Sequence, residues 1–146
     1  MAQINTGRVV LGGLLAGVII NLSQVVANLW VFAGQFEEIT ANLGVEPPAG
    51  MDIAIYVVFG FVIGIAAVWL YAAIRPRFGP GMQTALIAGA AMWLLARAWP
   101  TVDFTVFLNL PMGLFVMSLV WTLVEVLLAT VAGAWLYQEG GDAGAA

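Results

Sequence analysis

Four long apolar stretches dominate the pattern of hydrophobic and polar positions along this chain. They cover residues 9–32, 53–74, 82–99 and 111–137, and each is close to the roughly 20 residues that a helix needs to cross a bilayer. The stretches are apolar on every face, without the two-residue alternation of a membrane β-strand. The pattern therefore predicts an all-α, polytopic membrane protein built as a bundle of four transmembrane helices.

Turn-forming residues separate these stretches, and they indicate one domain over residues 1–146. Gly44, Pro47, Pro48 and Gly50 follow the first stretch, and a compact Gly- and Pro-rich turn occupies residues 75–81. Residues 102–110 are too apolar for a free loop, so we expect them at the membrane interface. Residues 138–146 are predicted to form a flexible C-terminal tail.

A short helix is expected in the first loop. Phe36, Ile39 and Leu43 recur at helical spacing, opposite Glu37 and Glu38. Such a helix would lie on the membrane surface with its acidic face in water.

The composition agrees with a membrane protein and excludes much of enzyme chemistry. The chain is 63% hydrophobic and 8% charged, with a mean hydropathy of +1.03. It lacks Lys, His and Cys, and these residues supply Schiff bases, most proton shuttles and thiolate ligands. We therefore expect no enzymatic activity, no cofactor and no metal. A net charge of −4 without a basic cluster argues against nucleic acid as a partner.

The arginines predict the orientation of the bundle. Arg8, Arg75 and Arg77 fall on the side that carries the N-terminus, whereas Arg97 lies toward the other side. The positive-inside rule then places both termini in the cytoplasm. The loops on the opposite side are acidic, with Glu37, Glu38, Glu46, Asp52 and Asp103.

Two short motifs suggest an internal repeat. The letters LLAG at residues 14–17 match LIAG at residues 86–89, and AxxWLY occurs at residues 66–71 and again at 132–137. One interpretation is two helical hairpins of parallel orientation, related by an axis along the membrane normal. The other is chance similarity between apolar segments.

Small residues recur at a spacing that lets helices approach closely. They are Gly13 and Gly17 in the first stretch, Gly60 and Gly64 in the second, and Gly89 in the third. Close backbone contact drives helix association in lipid. The pattern predicts helix packing, either within the bundle or against another subunit.

Polar residues inside the apolar stretches are the candidate functional site. Asn21, Gln24 and Asn28 share one face of the first helix, and Glu125 is the one carboxylate of residues 111–137. From a rise of about 1.5 Å per residue, Glu125 and Arg97 differ in depth by roughly 8 Å, with the amides between them. We predict an intramembrane polar network of Asn21, Gln24, Asn28, Arg97 and Glu125.

Three interpretations of this network stay open. The first is a buried ion pair that fixes the register of the helices. The second is a polar pocket in which Glu125 binds a proton or a cation beside Arg97. In the third, Arg97 turns toward Asp103 while Glu125 bonds to Ser118 or Thr122.

Two tryptophans, Trp93 and Trp121, lie deep in their stretches. Bulky packing between helices is the preferred interpretation, ahead of stacking against a ligand.

Three segments carry a resemblance to known proteins. TGRVVLGG at residues 6–13, YAAIRPRFGPG at residues 71–81 and VEVLLAT at residues 124–130 resemble a set of small uncharacterised four-span bacterial membrane proteins. The resemblance implies a multi-pass protein of the bacterial inner membrane but no activity. Fluoride channels of dual topology would need a Thr- and Phe-rich break in the third span, and small multidrug transporters a Glu in the first. Neither feature is present.

Two functions from different classes are therefore expected. The first is a non-catalytic structural or accessory subunit that packs against other membrane helices, lipids or pigments. Its partners would be the lipid bilayer together with other membrane subunits or a second copy. The alternative is a small transporter or channel with its polar site around Glu125 and Arg97.

Overall fold

Every regular element of the computed structural model, which describes residues 4–137, is helical. The elements are α1 (Thr6–Val26), a π-helical turn (Ala27–Val31), α2 (Ala33–Leu43), α3 (Met51–Phe78), α4 (Met82–Trp93), a second π-helical turn (Leu94–Ala98), α5 (Trp99–Leu108) and α6 (Met112–Leu136). No strand occurs between residues 4 and 137. The tail predicted at residues 138–146 lies outside the described residues.

Four segments are long and apolar enough to cross a membrane. We call them span one (Thr6–Val31), span two (Met51–Phe78), span three (Met82–Leu108) and span four (Met112–Leu136). They confirm the predicted all-α bundle of a multi-pass membrane protein. The short helix predicted in the first loop is present as α2, which ends at Gly44 in the left-handed region, with φ 65°.

The helix of span three is longer than the predicted stretch 82–99. It continues through Trp99 to Leu108, so most of residues 102–110 are helical, and their place at the membrane interface stays a prediction. Pro100 does not stop the helix, because it lies in the first turn of α5, where a missing N–H costs little.

The helix of span two also continues past the predicted stretch 53–74. α3 includes Arg75 and Pro76 and ends at Phe78, because a proline in the last turn removes only its own hydrogen bond. The reversal falls instead on Gly79 and Gly81, whose φ angles are 84° and 123°. Glycine adopts these angles without a steric penalty.

The spans form a ring in which each packs against the next one in sequence and span four packs against span one. Spans two and four also touch across the bundle. Glycines allow a close contact between spans one and two. A Cβ on Gly64 would lie 2.6 Å from the carbonyl oxygen of Gly13, and a Cβ on Gly13 would lie 2.5 Å from the Cα of Ile65. Gly17 faces Phe61 in the same way, so these glycines pack within the chain.

The other predicted glycines also lie at helix contacts. Gly60 faces the side chain of Asn21, and Gly89 faces Leu127 and Thr130 of span four. A further close approach was not predicted: Gly12 meets the backbone of Gly133, where spans one and four cross.

The order of elements repeats along the chain, as a hairpin repeat requires. Each half contains a long helix, a π-helical turn, a short helix and a second long helix. The matched tyrosines of the two AxxWLY motifs, Tyr71 and Tyr137, are both buried, and their rings meet edge to face at 5.9 Å.

Packing is uneven along the bundle. The main buried core lies toward the end that carries Asn5 and Tyr137, and it includes Val9, Ala16, Val68, Ala88 and Ala129. At the opposite end, which we call the α2 end, residues 51–59 of span two are exposed on every face. About 13 Å of apolar helix therefore has little protein around it.

Candidate functional site

Glu125 is tied to two other spans. Its side chain is 0% exposed, and its Oε1 lies 3.0 Å from Nη2 of Arg97 in span three. Gln24 of span one donates from Nε2 to Oε2 of the same carboxylate at 2.7 Å. We call Gln24, Arg97 and Glu125 the clasp.

The position of Glu125 on α6 explains why it points inward. Glu125, Ala129 and Gly133 are buried and recur every four residues, so they share the face that packs into the bundle. Val124 and Leu128, on another face, are more than half exposed. The carboxylate therefore lies on the face of α6 that packs against the neighbouring helices.

Both partners of Glu125 lie at changes of helix type. Gln24 comes three residues before the π-helical turn Ala27–Val31, and Arg97 lies inside the turn Leu94–Ala98. A π-helical turn widens the helix and shifts the residues that follow it around the axis, and such turns are frequent at functional sites. Spans one and three therefore change geometry at the level of the clasp.

Asn21 and Asn28 are not ligands of the carboxylate. Asn21 donates to the carbonyl oxygens of Gly17 at 2.9 Å and Val57 at 3.2 Å, which ties span one to span two. Asn28 donates to the carbonyl oxygen of Gln24 at 2.7 Å. Of the five predicted residues, the structure brings three directly together.

The interpretation in which Arg97 turns away from Glu125 is not what the structure shows. Arg97 pairs with the carboxylate. The Thr122 hydroxyl donates to the Ser118 carbonyl oxygen at 2.8 Å, so it is occupied within its own helix.

Sequence reasoning missed Ser23 as a member of this region. Its hydroxyl lies beside the Glu125 carboxylate and accepts a hydrogen bond from the indole Nε1 of Trp121 at 3.0 Å. The indole of Trp93 likewise donates to Thr122 at 3.2 Å. Both tryptophans thus link helices, in keeping with the packing interpretation.

The sequence did contain a signal for Ser23, because this residue adjoins Gln24 on the side of span one that faces the bundle.

The electrostatics of the clasp are those of a compensated ion pair. A lone charge in hydrocarbon is costly, and pairing and hydrogen bonding reduce that cost. Arg97 is only partly enclosed, with 22% of its side chain exposed. Its buried Nε has no hydrogen-bond partner among residues 4–137.

The chemistry available at the clasp is limited. Within residues 4–137 there is no cluster of three His, Cys, Asp or Glu side chains that could hold a metal ion. The single carboxylate lacks a second acid or base at its side, which general acid–base catalysis commonly uses. The arrangement can fix helix positions, or it can exchange a proton or a cation.

An apolar groove runs beside the clasp, along the seam between α1 and α6. We call it the α1–α6 groove, and its volume is about 570 Å³. Its walls include Ile19, Val31, Phe32, Val116, Val120 and Trp121, and Ser23 and Glu125 border it.

No family model, curated protein or solved structure matches this chain.

Proposed function

We propose that this protein is a non-catalytic membrane scaffold, an accessory subunit that presents helical surfaces to other membrane helices or lipids. The observation that carries the proposal is the enclosure of Glu125. Its carboxylate accepts from Arg97 and Gln24 and has no exposed surface, so its presence is accounted for by holding three spans together.

The exposed part of span two supports a role in assembly. All nine residues of the segment 51–59 are exposed. A bundle that needed only internal stability would gain by packing this segment, because close contacts between helices stabilise membrane bundles. We propose that membrane subunits or a second copy pack there, in the bacterial inner membrane, with both termini in the cytoplasm.

Purification from the native membrane in mild detergent tests the scaffold. The expected result is a stable complex with at least one other membrane protein, or a defined oligomer of this chain. Replacing Val58, which is 58% exposed in this segment, by Arg should release the partner, because a charge on a buried apolar contact is costly. Recovery of a lone monomer would contradict the proposal.

A second function, transport, is favoured by Arg97. Its side chain keeps 22% exposure, and its Nε has no acceptor within the described part of the chain. A solute with an acceptor atom would satisfy that group, and Glu125 could exchange a proton on the other side of the pair.

Liposomes that contain the purified protein separate the two functions. In a transporter, Glu125→Gln should abolish coupled proton or solute flux, because the carboxamide does not titrate. In a scaffold the same variant should keep its partners and its fold. The amide oxygen of Gln can still accept from Arg97, its NH₂ can donate to the Gln24 side-chain oxygen once that amide turns over, and Arg97 keeps 22% exposure. Equal flux in wild type, variant and empty liposomes would exclude transport.

A further inference from the structure

The α1–α6 groove has the length of one membrane leaflet. Along span one it extends from Ile19 to Phe32, the residue that follows the span, and on α6 from Val116 to Leu128. These distances correspond to about 18 to 20 Å of helix. The hydrocarbon core of a bilayer is about 30 Å thick, so one leaflet contributes about 15 Å. The groove thus begins near mid-membrane, at the clasp, and ends at the α2 end.

The groove is long and its walls are apolar. Its volume of about 570 Å³ extends along about 18 Å of helix. A single extended hydrocarbon chain fits this space.

The groove has a deep end beside the clasp and a shallow end at Phe32 and Val116. The deep end offers no free polar group to a ligand. Ser23 accepts from Trp121, and both oxygens of Glu125 are bonded to the other members of the clasp. A ligand with a polar ring or head at that depth would leave its own polar atoms unpaired, at a cost in free energy. The deep end therefore selects an apolar chain end, and any polar head must lie at the shallow end.

The charge at the shallow end selects the headgroup. Phe32 lines the groove, and α2, which follows it, carries the exposed acids Glu37 and Glu38. The same end also carries Glu46 before α3, Asp52 in the first turn of α3 and Asp103 in α5, and residues 33–52 and 99–111 contain no Lys or Arg. A headgroup with a cationic amine is attracted there, and an anionic one is repelled.

We propose that the α1–α6 groove is a binding site for one acyl chain of an amine-bearing, zwitterionic phospholipid in the leaflet at the α2 end. The chain lies along Val116, Val120 and Trp121, and the ammonium group pairs with the acids of α2. This site does not depend on whether the protein acts as a scaffold or as a transporter.

Native mass spectrometry tests the site. Purified protein is equilibrated with equal amounts of phosphatidylethanolamine and phosphatidylglycerol in detergent. We expect one phosphatidylethanolamine retained per chain. Val120→Trp, which fills the groove, should remove it. Val62→Trp is the matched control, because Val62 lies on span two, away from the groove, and the two valines are 57% and 50% exposed. Melting temperatures identify any variant that fails to fold.

A second variant tests the headgroup independently of the groove. The double variant Glu37→Gln/Glu38→Gln removes two exposed charges from α2. It should reduce the preference for phosphatidylethanolamine over phosphatidylglycerol about threefold, which is the size expected for exposed ion pairs. The proposal would be overturned if the wild type retained both lipids equally or if the double variant kept the same preference. Equal lipid loss from Val120→Trp and Val62→Trp would also overturn it.

Discussion

Glu125 is held by donors from two spans that sit at opposite corners of the ring. The carboxylate accepts from Gln24 and Arg97 on different oxygens, so it joins spans one and three through span four. A buried pair of this kind contributes little net stability but is costly to break from one side, because the remaining charge stays buried.

This asymmetry predicts how the pair responds to substitution. Arg97→Leu should lower the free energy of unfolding in detergent by about 3 kcal/mol, because Glu125 loses its counter-charge. Arg97→Leu combined with Glu125→Leu should recover most of that loss. Arg77→Leu, on an exposed arginine of α3, is the control and should change stability little. A double variant as unstable as the single one would show that the two residues do not act as a pair.

The sequence predicted the three residues of the clasp, but it also predicted two asparagines that do not contact the carboxylate. Glu125 and Arg97 stood out because charges are rare inside apolar stretches, and helical spacing aligned Gln24 with them. Asn21 and Asn28 share that face but bond to nearby backbone carbonyls. Helical periodicity reports the face of a side chain, whereas its partner depends on how the neighbouring helix is rotated.

At the scale of elements, the distance between spans one and four is set where they cross, at Gly12 and Gly133. A Cβ added to Gly133 would lie 2.5 Å from Cγ2 of Val68 and 2.7 Å from the carbonyl oxygen of Gly12. The backbone atom cannot rotate away as a side chain can. The approach of the two helices therefore depends on the missing side chains.

Gly133→Ala should consequently destabilise the bundle by about 2 kcal/mol, the usual cost of overpacking a core. The control is Gly113→Ala in the same helix, where an added Cβ meets nothing within 4 Å. It should be neutral to within about 0.5 kcal/mol. Unfolding of both variants in a denaturing detergent series gives the comparison, and equal stability of the two would contradict the assigned contact.

Hydropathy predicted the number of spans, but not where all of their helices end. Spans two and three continue past proline-containing segments, because Pro76 and Pro100 lie in terminal turns, where the lost N–H is least needed. The two π-helical turns had no recognisable signal, since they depend on how a helix is seated against its neighbours. Composition alone does not carry that information.

At the scale of the whole molecule, the two halves share elements but not polar chemistry. The separation between the LLAG and LIAG motifs is 72 residues, and it relates Gln24 to Ala96 and Asn28 to Pro100. The separation between the AxxWLY motifs relates Glu125 to Phe59, which is 59% exposed. One clasp therefore forms in a bundle whose other half has an exposed aromatic residue at the equivalent position.

The orientation of this bundle can be measured directly, because the chain contains no cysteine and each introduced thiol is unique. Ala49→Cys lies between α2 and α3, and Gln83→Cys lies at the start of α4, on opposite ends of span two. If the three arginines near residues 8 and 75–77 face the cytoplasm, an impermeant maleimide should label position 49 in intact cells. Position 83 should react only after permeabilisation. The reverse result would invert the bundle, and labelling of both positions in intact cells would indicate dual topology, which the clustering of arginine at one end argues against.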